Sequence, residues 1–259
     1  MDRRTFVKLS ALASLPAFTP ASAGVQQSER IVNDISQLNP VAVAGERQPR
    51  TTDEVRSALR RTRERISIGG ARASMGGQIA APGSLHLDMR SMNQVIWFDA
   101  PRRMIRVQAG AGWRDLQDLI DPHDLSLRIM QSYSNFTVGG SVSVNCHGRY
   151  VGRGPLVNSV RAVQLVTHDG EVLELTRERE SELFRAAFGG YGGLGVITEV
   201  ELDLDSNVRM ERVVEQVPLE RYPPVQIRLF AVKTPVVGAS HCAGIAEVGR
   251  PRPIGVGAV

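Results

Sequence analysis

Residues 66–78 pass from a strand-like alternation, Ile66-Ser67-Ile68, into a run dominated by glycine, alanine and serine: Gly69-Gly70-Ala71-Arg72-Ala73-Ser74-Met75-Gly76-Gly77-Gln78. No other feature narrows the fold as much. A strand that empties into such a run can leave successive backbone N–H groups free to converge on one anion, the nest geometry that holds phosphate oxygens. Ser74 adds a hydroxyl donor, and Arg72 adds either a positive charge for a ligand or half of a structural ion pair. Taken alone, the run also reads as a tight turn, the commonest use of clustered glycine. Two further runs of this kind follow. Phe136-Thr137-Val138-Gly139-Gly140-Ser141-Val142-Ser143-Val144-Asn145-Cys146-His147-Gly148 shows no helical periodicity and gathers hydroxyls, an amide and an imidazole. The third is Gly189-Gly190-Tyr191-Gly192-Gly193-Leu194-Gly195-Val196-Ile197-Thr198.

Gly190, Gly192 and Gly195 match the G-x-G-x-x-G pattern of dinucleotide-binding folds, but the context is reversed. That fingerprint must follow a strand and open a helix, so that the helix N-terminus faces a pyrophosphate. Here residues 180–188 read as a short helix before the glycines. Val196, Thr198, Val200, Leu202 and Leu204 alternate as a strand after them. A Rossmann-type site is excluded. Ala109-Gly110-Ala111-Gly112 does lie between a strand and a helix, yet lacks the third glycine and reads as a packing turn.

The remaining pattern is a mixture of hairpins and single helices. Thr51-Thr52-Asp53-Glu54 supplies an N-cap and an acidic first turn, and Val55 and Leu59 continue as an i, i+4 stripe, predicting a helix over 52–63. Leu85, Leu87 and Met89 alternate, as do Ile105, Val107 and Ala109. Trp113, Leu116, Leu119 and Ile120 have helical spacing over 113–121. Val163, Leu165, Asp169-Gly170, Val172 and Leu175 read as a hairpin with a tight turn. Strands outnumber helices and helices occur singly between them, which points to an α+β fold rather than a wound βαβ sheet.

The chain has 259 residues, 42% hydrophobic and 22% charged, which suits an ordered domain with a sizeable core. No uncharged apolar stretch approaches the ~18 residues of a membrane span. The formal charge of +4 is concentrated at the ends. Arg3, Arg4 and Lys8 face only Asp2, and Arg228, Lys233, Arg250 and Arg252 face only Glu247, leaving residues 24–221 close to neutral. No nucleic-acid surface is indicated. Cys146 and Cys242 form neither a disulfide framework nor a C-x-x-C pair, and the five histidines are dispersed, so no metal site is expected.

Together, the three runs in this order and spacing resemble the FAD-binding domain of the vanillyl-alcohol oxidase superfamily, the p-cresol methylhydroxylase (PCMH) type. The resemblance is strongest to sugar-acting members: aldonolactone oxidases, alditol oxidases and the decaprenylphosphoryl-ribose oxidase group. Val160-Arg161-Ala162-Val163 and Asp169-Gly170-Glu171-Val172 also fit, and the match covers about residues 35–210. It implies two α+β subdomains around a non-covalently or covalently held FAD. By this resemblance Gly69, Gly70, Ala71, Arg72, Ala73 and Ser74 wrap the pyrophosphate. Ser132, Thr137, Gly140 and Ser141 line the cofactor channel. Val144, Asn145 and His147 approach the flavin or ribityl portion, and Ile197 contacts the adenine end. His147 also reads as a buried, satisfied histidine, and Cys146 as a small packed side chain. Many relatives carry a histidine in the first run that bonds covalently to the flavin. Ala73 stands at that position here, so non-covalent FAD is expected.

The implied reaction is hydride transfer from a sugar or alcohol C–H to flavin N5, with oxygen or another acceptor taking the electrons. No catalytic base is assigned, because in such enzymes most substrate-facing residues come from a later domain. Arg3-Arg4, a weak apolar stretch and Ala21-Ser22-Ala23 resemble a twin-arginine export signal over 1–23, and hence a periplasmic or cell-envelope protein. A disordered basic tail is the alternative. From about Tyr222 to residue 259, prolines and glycines interrupt any period. This is read either as an ordinary irregular end, or as a native frame or domain that stops near 222, with most of the substrate domain lacking. A flavin-binding or electron-transfer subunit completed by a partner chain, and a non-catalytic remnant, remain as alternative functions.

Overall fold

The computed structural model describes residues 30–149, 152–216, 239–240 and 245–252. The paired-arginine segment 1–23 lies outside them. In chain order, β1 (Arg30–Val32) and β2 (Val41–Val43) form an antiparallel pair. β3 (Gly45–Arg47), α1 (Thr52–Arg61), β4 (Ile66–Gly69) and β5 (Leu85–Asp88) then build a parallel sheet in the order β3-β5-β4. The helix starts where the sequence predicts. Thr51 Oγ1 accepts the Glu54 N–H at 3.2 Å, and Asp53 and Glu54 place negative charge in the first turn. Val55 and Leu59 bury one face of α1 against a cluster containing Leu87, Met89 and Met92. β5 is buried at all four residues because it is the middle strand of a parallel sheet.

The second subdomain comprises β6 (Val95–Asp99), β7 (Met104–Gln108), α2 (Trp113–Ile120), β8 (Leu125–Leu127), α3 (Val138–Ser143), β9 (Val160–Val166), β10 (Val172–Thr176), α4 (Ser181–Ala187) and β11 (Val196–Ser206). Its strands form an antiparallel sheet in the order β10-β9-β11-β7-β6, with β8 paired to the far end of β11. Trp113, Leu116 and Ile120 of α2, Val138 and Val142 of α3, and Phe184 of α4 bury one face of each helix in the same core as Ile105, Val163 and Val200. On the sheet, Arg106 is held by Glu174 through two bonds of 2.7 and 2.9 Å and by Glu199 at 2.7 Å, tying β7, β10 and β11 together. Two sheets with separately packed helices make the fold α+β.

One expectation is corrected. The run 136–148 is not without helix: α3 passes through it, because Val138 and Val142 sit at i, i+4 and are fully buried. Burial of that pair outweighs the low helix propensity of Gly139 and Gly140. β12 (Arg209–Gln216), β13 (Ala239–Ser240) and β14 (Ile245–Arg252) form an antiparallel sheet in the order β12-β14-β13. The tail expected to be irregular from 222 is thus extended where it is described. Its segments 217–238, 241–244 and 253–259 lie outside the described residues. Among the described residues, no helix is long and apolar enough to cross a membrane.

Candidate functional site

A cleft with a cavity volume of about 250 Å³, continuous with open solvent, lies between the two subdomains. One wall is the chain leaving β4, from Gly70 to Ser74. The other is made by α3 with the residues before it and by the turn between α4 and β11. Among the described residues, none of the N–H groups of Gly70, Ala71, Arg72, Ala73 and Ser74 donates a hydrogen bond. Half-buried backbone donors without partners are uncommon, and a row of them beside a cleft leaves donors available for an anion. Among the described residues, no aspartate or glutamate lines the cleft.

Among the described residues, Arg72 is the one charged residue on the wall, and the structure decides between its two readings. Its backbone is left-handed (φ 57°), and its Nη2 is bound to Glu46 Oε1 at 2.6 Å and Asp88 Oδ2 at 3.3 Å. It is a structural ion pair. Burial alone would raise the Asp88 carboxyl, but hydrogen bonds from Arg90 and the charges of Arg90 and Arg72 hold it below the usual carboxylate range. The arginine charge is therefore already matched, and recognition of an anion falls to the backbone donors.

Across the cleft, Thr137 Oγ1 is buried with no partner among the described residues. A Cβ added at Gly70 would overlap that oxygen, so the cradle exists only because residue 70 has no side chain. Ile68, Ile79, Met89, Phe136, Val144 and Ile197 supply apolar surface. The arrangement offers donors for an anionic group and a broad apolar wall for a flat one.

Of the residues predicted from sequence, Gly70, Ala71, Arg72, Ala73, Ser74, Thr137, Gly140, Ser141, Val144 and Ile197 line this cleft. Gly69, Ser132, Asn145 and His147 do not. Gly69 is buried in β4, with His86 Nε2 only 2.7 Å from where its Cβ would stand. Ser132 is exposed. Asn145 adopts a left-handed backbone (φ 44°) and accepts the Val157 N–H on Oδ1 at 3.2 Å, which is a turn-forming role. His147 is exposed, with Nδ1 3.1 Å from the Gly148 carbonyl oxygen, so neither a cleft position nor a buried one describes it. Cys146 is a packed side chain whose thiol burial pushes up to about 12. Sequence reasoning missed Gln78, Met89, Gln131, Phe136 and Tyr191 on the wall. Tyr191 and Phe136 stood inside the quoted runs and Gln131 beside Ser132. Met89 arrives through the β4–β5 pairing, which has no local signature.

Beneath the first run lies His86, fully buried, with Nδ1 3.0 Å from Ser67 Oγ, which in turn lies 2.7 Å from Ser84 Oγ. Burial, reinforced by the Arg72 and Arg90 charges against Glu46 and Asp88, pulls the imidazole from 6.5 down to about 4. A histidine kept neutral in the fold contributes stability that is complete above its unfolded value and is lost as pH falls from 6.5 towards about 4. The expected loss is roughly 3 kcal/mol across that window. Asp88, whose carboxyl is also held below its ordinary value, adds its own loss only below about 4. Urea unfolding at stepped pH should show this slope in the native chain and not in His86→Gln. An equal slope in both would remove His86 as its cause.

Among the described residues, no group of three or more His, Cys, Asp or Glu side chains is placed to hold a metal ion. A family model described as "FAD binding domain" matches residues 43–176, spanning the parallel sheet, the first two small-residue runs and the β9–β10 hairpin. The chain is similar to L-gulonolactone oxidase of Bos taurus, 32% identical over 158 residues, covering 60% of this chain and 36% of that protein. It is also similar to L-galactono-1,4-lactone dehydrogenase 1, mitochondrial, of Oryza sativa subsp. japonica, 32% identical over 154 residues, covering 60% and 26%. Alditol oxidase of Streptomyces sp. is 33% identical over 162 residues, covering 61% and 38%. The chain thus spans about a third of the length of these curated relatives. With a donor-rich, acid-free cleft framed by the matched segments, the chain belongs to this family of FAD-binding domains, and FAD is its cofactor.

Proposed function

We propose that the chain holds FAD non-covalently in the cleft between its subdomains and is the FAD-binding part of an oxidoreductase acting on sugars, sugar lactones or polyols. The observation that carries this is the row of unpartnered N–H groups from Gly70 to Ser74 facing a wall without carboxylates. When bound, FAD supplies two-electron redox chemistry at its ring system. The chain's own residues do the holding. The backbone of 70–74 receives the anionic portion, Thr137 offers an unpartnered hydroxyl, and Ile68, Ile79, Phe136, Val144 and Ile197 exclude water from the rest. The relatives' names, two oxidases and a dehydrogenase on lactones and alditols, support the substrate class and leave oxygen or another molecule as electron acceptor. Arg3-Arg4 and Ala21-Ser22-Ala23 support export to the periplasm or cell envelope.

The wall supports non-covalent attachment. Ala73 presents a methyl group, and no histidine or cysteine lines the cleft among the described residues. The test is direct. Purified chain equilibrated with FAD should acquire the absorption bands of bound oxidised flavin, and acid precipitation should release all of it to the supernatant. Flavin fluorescence retained by the precipitated chain would overturn non-covalent attachment. No flavin uptake would overturn the cleft assignment. Exposed Met75, Tyr133 and Tyr191 flank the cleft, which favours further protein covering it, either a substrate-binding segment or a partner chain.

A further inference from the structure

We propose that Gln131 binds the cofactor, with its amide locked from behind so that Nε2 donates into the cleft to an acceptor atom of FAD. Trp113 Nε1 lies 2.9 Å from Gln131 Oε1, and Ser141 Oγ lies 2.8 Å from the same oxygen. An indole nitrogen can only donate, and its single N–H is shared between Gln131 Oε1 and Ser141 Oγ, both at 2.9 Å, so the amide oxygen rather than the NH2 is the favoured atom facing Trp113. Trp113 and Ser141 are buried at 0% and 1% exposure, so the oxygen end is held in the core. The NH2 end is left on the cleft side. Gln131 lines the cleft, and its Nε2 makes no hydrogen bond among the described residues. Ser141 Oγ also lies 2.9 Å from the Thr137 carbonyl oxygen, which competes with Gln131 Oε1 for its one proton and ties the lock to the segment carrying the unpartnered Thr137 hydroxyl. A preset donor costs little ordering on binding, whereas a free glutamine would lose rotamer freedom.

This inference rests on FAD occupying the cleft, and the experiment separates the two claims. Gln131→Glu keeps an acceptor oxygen for Trp113 and Ser141 and replaces the cleft-facing NH2 with a carboxylate oxygen at neutral pH. Its flavin-free melting temperature should remain close to that of the native chain. Its FAD Kd, read from flavin fluorescence in the full chain, should rise about tenfold or more. Gln131→Met, of similar bulk with neither polar end, is the second variant. Its flavin-free melting temperature should fall and its FAD Kd rise about fivefold when titrated well below that temperature. Native-like FAD affinity in both variants, with only melting temperatures altered, overturns the proposal and leaves Gln131 as packing for Trp113. A native chain that takes up no FAD overturns the cleft assignment, and this inference falls with it.

Discussion

Gly110→Ala is expected to be the most destabilising single methyl addition in the chain, lowering stability by about 3 kcal/mol or more. Gly110 lies in the turn from β7 to α2, and its N–H donates to the Met92 carbonyl at 2.7 Å. A Cβ there would overlap the Met89 carbonyl oxygen and stand 2.8 Å from the Met92 carbonyl oxygen. Both obstacles are backbone. Relief requires displacing the segment from Met89 to Met92, whose two methionine side chains are buried against α1 and β5. Thermal unfolding followed by circular dichroism should show a melting temperature lower by about 10 °C. Gly45→Ala is the matched control, since its Cβ would meet only the Leu85 side chain at 3.4 Å, an ordinary contact. Equal behaviour of the two variants would contradict the packing-turn assignment.

Gly70→Val should weaken FAD binding by about 100-fold, the upper range of what one overfilled contact costs. The added Cβ takes the space in front of Thr137 Oγ1, and the branched methyls extend into the cleft between the first run and α3. A change of Thr137 rotamer relieves the overlap with Oγ1 but leaves its Cβ at 3.3 Å from the new Cβ, a tight contact. Residue 70 leaves β4 at the sheet's edge, so the substitution should act more on the cleft than on the core. Flavin titration and a flavin-free melt of the same preparation separate the effects. An FAD affinity matching the native chain's would mean that the cofactor does not use this cradle.

Much of the scaffold was legible because its causes are local. The capped start of α1 at Thr51, the Val55–Leu59 stripe, the alternation of β11 and the turn at Asp169-Gly170 all report short-range chemistry or a repeating buried face. Elements without such a record were missed. β8 has three residues and exists because β11 is long enough to carry it beyond β7 and β9. α3 has one i, i+4 valine pair and two glycines, so only its burial declares it a helix.

The site divides along the same line. Amino-acid order alone excluded a Rossmann turn and marked the three small-residue runs that line the cleft, because the absence of side chains is itself what such a surface needs. It also determined that Ala73 offers no atom for a covalent link. Only the folded chain decided that Arg72 spends its charge on Glu46 and Asp88, that Asn145 and His147 turn away from the cleft, and that Gln131 faces it with its carbonyl pinned behind. Those outcomes depend on which groups far apart in sequence reach one another within hydrogen-bonding distance, and that is a property of packing rather than of any local pattern.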